Sequence, residues 1–141
     1  PVGEIMTPNP YTTSPDASIV HAATLMRNLG VGTLPVVDRG QLVGIITETD
    51  LFKIFLELLG ARAAGVRVTA LVANVPGELA KLTTAVRNVG GNILAFVTYL
   101  GESSENTSVT LKVEGVEPDN LRKAIEATVL RVVDMRATGP S

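Results

Sequence analysis

Val43-Gly44-Ile45-Ile46-Thr47-Glu48-Thr49-Asp50 is expected to run a buried strand into the first turn of a helix and to set Thr47 and Asp50 at the junction. A helix amino terminus carries unpaired N–H groups and the positive end of the macrodipole, so it favours an anion beside a hydroxyl such as Thr47. Asp50, one turn on, has the chemistry to accept hydrogen bonds from ribose hydroxyls. The same spacing also satisfies a capping box, in which Thr47 at the N-cap bonds the N–H of Asp50 and the carboxylate reaches back, with no ligand needed. Spacing alone favours the cap, so the surrounding sequence has to decide.

Working outward, the first half predicts a lead-in strand near Tyr11–Thr13 and a helix over Ser18–Leu29 stopped by Gly30. Strands at Leu34–Asp38 and Gln41–Ile46 flank the turn Arg39-Gly40, and a helix over Glu48–Leu59 is closed by Gly60. That is a β-α-β-β-α unit. Its last helix is apolar nearly all round, with Leu51, Phe52, Ile54, Phe55, Leu56, Leu58 and Leu59 set against a strip of Lys53 and Glu57. A unit of about sixty residues cannot cover such a helix, which implies a second protein surface.

Residues 61–65, Ala61-Arg62-Ala63-Ala64-Gly65, form a short connector after Gly60 and separate the halves 1–60 and 66–136, with 137–141 as a tail. In the second half, Val66, Val68, Ala70 and Val72 fall on one face of a strand, and Val109, Leu111 and Val113 alternate with Thr110, Lys112 and Glu114 in another. Between them, Leu79, Leu82, Val86 and Val89 make a helical stripe ended by Gly90. The strand Asn92–Leu100 places Ile93, Ala95 and Val97 on one face and Leu94, Phe96 and Leu100 on the other, so both faces are expected to be covered. Gly101–Asn106 reads as a hairpin loop, Pro118 opens a helix carrying Leu121 and Ile125, and Val129–Met135 is the final strand. The order β-α-β-β-α-β is a ferredoxin-like plait, and the chain as a whole is of the α/β (α+β) class.

Five segments agree in order with one known family: Ile5-Met6-Thr7-Pro8, Tyr11-Thr12-Thr13-Ser14-Pro15-Asp16, the amphipathic stretch ending in Met26, Leu34-Pro35-Val36-Val37-Asp38, and Val43–Asp50. Together they resemble a cystathionine-beta-synthase (CBS) domain, over about residues 2–60. The resemblance implies an adenosyl nucleotide of the AMP, ATP or S-adenosylmethionine kind, held by Thr47 at phosphate or ribose and by Asp50 at the ribose hydroxyls, with Thr49 in the same element. It also implies an adenine between Tyr11-Thr12 and Val31-Gly32. CBS units normally pair around the nucleotide cleft, and one copy is present here, so either two chains supply the pair or a further copy precedes Pro1.

Ala73-Asn74-Val75-Pro76-Gly77-Glu78-Leu79, followed by Gly90-Gly91-Asn92-Ile93, resembles an ACT domain over about residues 66–136. ACT domains are regulatory modules that most often bind amino acids at a subunit interface. The resemblance implies an amino-acid site at Asn74, Val75, Gly77 and Asn92. Free N–H groups of the loop suit a carboxylate, and an Asn amide can donate or accept. The plainer reading has Asn74 capping a helix and Asn92 favouring a turn. Some ACT members carry a His two residues before the first Asn, where this chain has Val72. The order of the two domains is similar to that of acetoin-utilization-type regulatory proteins, which implies regulation through oligomer geometry, as a homodimer or higher homo-oligomer.

Composition narrows the alternatives. Net charge is −2, with Lys and Arg scattered, so nucleic acid and anionic membranes are poor direct partners. There is no Cys, which suits the cytoplasm, and the one His cannot build a His-rich metal site. His21 lies mid-helix and takes no role. Glu48 and Asp50 sit on consecutive turns of one helix, which is not the geometry of a glycosidase pair. Asn106-Thr107-Ser108 matches a glycosylation sequon with no secretion signal to support it. Met6, Met26 and Met135 read as core filler or pocket lining. With no nucleophile beside a base, no metal cluster and no Walker-type loop, the expectation is a non-enzyme with no catalytic or metal residues and no cofactor, its nucleotide serving as a regulatory ligand. The competing expectation is a ligand-free assembly module whose halves serve only as dimerisation surfaces.

Overall fold

The computed structural model describes residues 12–139. The chain divides into two compact units between Phe55 and Leu56.

The first unit holds α1 (Ile19–Leu29), β1 (Thr33–Asp38), β2 (Gln41–Thr47) and most of α2 (Glu48–Leu58). Ser18 caps α1 by accepting from the His21 N–H at 3.0 Å, and Gly30 ends it in the left-handed conformation. Strands β1 and β2 pair antiparallel around Arg39 (φ 51°) and Gly40 (φ 78°), the positive pair that a two-residue hairpin turn requires. Of the expected lead-in strand, Tyr11 lies outside the described residues, and Thr13 makes a single parallel bridge to Val36. Ala22, Met26 and Leu34 are the buried core, with Leu51 and Ile46 packed against it.

The second unit contains β3 (Gly65–Ala73), α3 (Glu78–Asn88), β4 (Asn92–Leu100), β5 (Asn106–Glu114), α4 (Pro118–Glu126) and β6 (Arg131–Thr138). Its four-stranded antiparallel sheet has the order β4-β5-β3-β6, the ferredoxin-like plait expected from the sequence. Val66, Val68, Ala70 and Val72 on β3 and Val109, Leu111 and Val113 on β5 face Leu82 and Val86 of α3 and Leu121 and Ile125 of α4.

Two expectations change, and one feature was not foreseen. The last strand begins at Arg131, because Thr128 and Val129 are still turning off α4 through bonds to the Ile125 carbonyl. The pairing of β4 slips between Ile93 and Ala95, so Ile93 opposes Val113 while Phe96 opposes Leu111. That one-residue bulge places Ile93 and Phe96 on the same core-facing side and moves Ala95 and Val97 opposite Lys112 and Thr110, which undoes the simple alternation. Finally, Thr110 and Lys112, on the polar side of the alternation in β5, are buried. Thr110 joins a hydroxyl chain with Thr69 at 3.0 Å and Tyr99 at 3.1 Å, and Lys112 lies against Gly60 and Gly65, its Nζ donating to the Gly60 carbonyl at 2.8 Å.

Leu121 is fully buried between α4 and the sheet. Truncation to Ala should therefore cost about 2–5 kcal/mol, as for other buried Leu-to-Ala changes. Urea denaturation of Leu121→Ala, compared with the same change at exposed Leu100, checks it.

Candidate functional site

The junction of β2 and α2 folds as a closed reciprocal pair. The Thr47 N–H donates to Asp50 Oδ2 at 2.9 Å, the Thr47 hydroxyl donates to the same oxygen at 3.0 Å, and the Asp50 N–H donates back to Thr47 Oγ1 at 3.2 Å. Hence the capping box is present. It does not exhaust the carboxylate, because Oδ1 takes none of these three bonds and a carboxylate has about four acceptor sites. The Asp50 carboxyl is held below its ordinary value of 3.8, first by the Thr47 N–H and then by its hydroxyl, with Lys53 adding attraction and burial opposing. An ionised, half-buried acceptor is thus fixed at the start of a helix.

Backbone pairing brings Val31 and Gly32 to the same junction. The Glu48 N–H donates to the Gly32 carbonyl at 3.0 Å, and Thr33 opposes Thr47 in the hairpin. Val31 is fixed by its N–H to the Met26 carbonyl at 3.1 Å and lines a groove of about 450 Å³ with Met26, Gly30, Glu48, Leu51 and Phe52. On the other side of β1, the Thr13 N–H donates to Pro35 O at 2.9 Å and its carbonyl accepts from Val37 N–H at 2.8 Å. Thr12 therefore runs alongside β1, and Thr49 is exposed on the first turn of α2. Tyr11 lies outside the described residues. The Thr13 hydroxyl is buried and without a hydrogen-bond partner, a feature that the Thr-rich stretch did not announce.

The residues expected to hold an amino acid are not gathered in one chain. Asn74 follows the end of β3, where its N–H donates to Glu105 O at 2.8 Å and its side-chain amide to Ser104 O at 3.2 Å. Val75 is exposed beside it, and Gly77 has φ 91°, which favours glycine at this turn into α3. Asn92 starts β4 at the opposite end of the sheet, paired with Glu114 and donating to its Oε1 at 3.0 Å. The nine steps from Glu105, which bonds Asn74, to Glu114, which pairs with Asn92, span roughly 30 Å, so Asn74 and Asn92 can meet one ligand only if different copies supply them. An open groove beside Asn74 is lined by Tyr99, Leu100, Ser103, Ser104 and Asn106, and reaches neither Gly77 nor Asn92.

Among the described residues no group of three or more His, Cys, Asp or Glu side chains could hold a metal ion, and no helix is long and apolar enough to cross a membrane.

Removing the Thr47 hydroxyl tests the electrostatics. Because the folded Asp50 carboxyl titrates below its unfolded value of 3.8, its stabilising contribution is complete above that pH and is lost as pH falls through the folded value. In Thr47→Val, the Asp50 carboxyl should titrate closer to 3.8 by NMR, and acid unfolding should lose part of this dependence.

Comparison with known proteins identifies both halves. Residues 2–57 match the CBS domain and residues 64–136, more than half of the chain, match the TTHA0829-like ACT domain. A CBS domain-containing protein of Dictyostelium discoideum is 42% identical over 59 residues, covering 41% of each chain. The CBS domain-containing protein YhcV of Bacillus subtilis is 42% identical over 50 residues, covering 36% of each. The chain thus spans well under half the length of these relatives. A solved chain described as GqqA, a novel type of quorum quenching acylases, is 27% identical with a TM-score of 0.39, covering 55% of this chain and 43% of that one. CBS and ACT domains are regulatory ligand-sensing modules, and the chain belongs to the TTHA0829-like ACT domain family, with a CBS domain preceding its ACT domain.

Proposed function

We propose that the chain is a non-catalytic sensor that binds an adenosyl nucleotide, of the AMP, ATP or S-adenosylmethionine kind, at the amino end of α2 and reports it through the geometry of a homo-oligomer. The observation that carries this reading is the free Oδ1 of an Asp50 whose other oxygen is locked by Thr47. The cap orients the carboxylate before any ligand arrives, so a ribose hydroxyl meets a preorganised acceptor. Thr47 and Thr49 stand beside it for phosphate or ribose, and Thr12, Val31 and Gly32 offer backbone groups for the base. Arg27 lines the groove beside Val31 and Glu48, and Lys53 lies close enough to attract Asp50, so cations for a ligand phosphate are at hand within one copy.

The homo-oligomer follows from apolar surface that one chain leaves open. Phe52 is 64% exposed and Phe55 56%, with Leu42, Val43 and Ile45 exposed on β2. An amino acid shared between Asn74 of one copy and Asn92 of another would bias the same assembly. We propose a cytoplasmic location and a role similar to that of acetoin-utilization-type regulators.

The second reading is an assembly module with no ligand, and the completeness of the Thr47–Asp50 box favours it. Calorimetric titration with AMP, ATP and S-adenosylmethionine separates the two. Saturable binding weakened about 10- to 100-fold in a folded Asp50→Ala variant, the loss expected for a charge-assisted hydrogen bond, supports the sensor. Absence of binding by a folded oligomer, or an Asp50→Ala variant that merely unfolds, supports the assembly module.

A further inference from the structure

The groove of about 450 Å³ between α1 and α2 lies wholly within the first unit, and neither Thr47 nor Asp50 lines it. Met26, Val31, Leu51 and Phe52 give it an apolar lining, and Arg27 and Glu48 give it one charge of each sign. Among the described residues neither charge has an ion-pair partner. Arg27 stands in the last turn of α1 and Glu48 in the first turn of α2, where each suits the dipole of its own helix. The dipoles account for the two signs. They do not account for the apolar surface left open beside them.

That surface is larger than the groove. At helical spacing, Val20, Ala23 and Arg27 share one face of α1, and Glu48, Phe52 and Phe55 share one face of α2. Val20 is 73% exposed, and both phenylalanines are more than half exposed. Clustered apolar surface bordered by charge marks a protein interface, whereas a small ligand is enclosed by the side chains that bind it. The charges indicate which protein. With one cation and one anion lining the same apolar strip, the surface is its own complement: a two-fold axis sets Arg27 of each copy against Glu48 of the other and satisfies both. A partner of a single charge sign would leave one of the two facing a like charge.

We infer that the α1–α2 groove is the face through which two copies of this chain associate, an isologous interface in which each copy covers Phe52 and Phe55 of the other and Arg27 pairs with Glu48 across the two-fold axis. The inference rests on the homo-oligomer reading above and adds which surface forms the assembly and which charges set its register. Because one chain supplies both signs, the pair occurs twice in a dimer. Reversing one residue therefore turns two attractions into two repulsions.

Sedimentation equilibrium of the intact protein, with circular dichroism to establish that each variant is folded, tests the assignment. Arg27→Glu and Glu48→Arg should each weaken self-association at least about tenfold, since like charges then oppose each other at two places. An equimolar mixture of the two variants should associate within about threefold of wild type, because each copy supplies the sign that the other lacks. Mixing cannot restore a pairing made inside one copy, so this arm reads only contacts between copies. Phe52→Ser should weaken association by about the same tenfold through lost apolar contact, and it stands in for a charge variant that does not fold. Wild-type protein that stays monomeric at the highest attainable concentration overturns the homo-oligomer reading and this interface with it. A wild-type oligomer that all three variants leave intact overturns the interface alone, and the assembly then forms through another face. Charge variants that dissociate but do not reassociate on mixing overturn the pairing of Arg27 with Glu48 between copies. An Arg27→Glu variant that keeps wild-type association yet binds ATP more weakly assigns the guanidinium to the ligand phosphate, and that too overturns the pairing.

Discussion

The register of β3 against β5 is the constraint on which the second unit depends. With Val66 opposite Val113 and Val68 opposite Leu111, every even residue of β3 from Val66 to Val72 and every odd residue of β5 from Val109 to Val113 faces the helices. The same register sets Arg67 opposite Lys112 and Thr69 opposite Thr110 on the other face. A slip of β3 by one residue would send Arg67 into the apolar core and Val66, Val68, Ala70 and Val72 out of it, so the pairing is strongly specified. The hydroxyl chain and the two cations over the end of α2 are therefore consequences of hydrophobic alternation.

At the start of α2 the opposition between cap and binding site dissolves once the individual oxygens are followed. A capping box uses one carboxylate oxygen, and the hydrogen bonds that complete it also keep Asp50 ionised and immobile. Those are the properties wanted of a ribose acceptor: charge retained, rotamer fixed and one oxygen left over. Local folding and recognition thus call for the same residue pair, which is why helix-start sequence signals and ligand motifs are hard to separate on spacing alone.

Much of this was legible in the chain. Element order, the Ser18 and Gly30 ends of α1, the Arg39-Gly40 turn and the inward faces of β3 and β5 all follow from local rules whose physics is contained in a few adjacent residues. What escaped is non-local. The bulge at Leu94 is a matter of how β4 fits β5, and nothing in Ile93-Leu94-Ala95 marks it. Nothing adjacent to Lys112 announces its burial, which comes with the approach of Gly60, far away in sequence. Asn74 and Asn92 both sit at positions that the ACT resemblance names, yet their separation along the sheet emerges only from the strand pairing.

The two units differ in how far each completes itself. The second buries a continuous core from four of its strands' worth of alternating side chains and two helices, whereas the described core of the first reduces to Ala22, Met26 and Leu34 with partly buried neighbours. Phe52 and Phe55 on α2 and Leu42, Val43 and Ile45 on β2 remain in water, although each would gain roughly 1.5–3 kcal/mol on full burial. Conversion of that surface into stability requires another protein surface, so the first unit's folding and association are linked: whatever covers the phenylalanines also restrains the helix that carries Asp50. If a ligand meets α2 at Asp50, a large rearrangement is not needed to report it, because the burial of that same helix is unfinished.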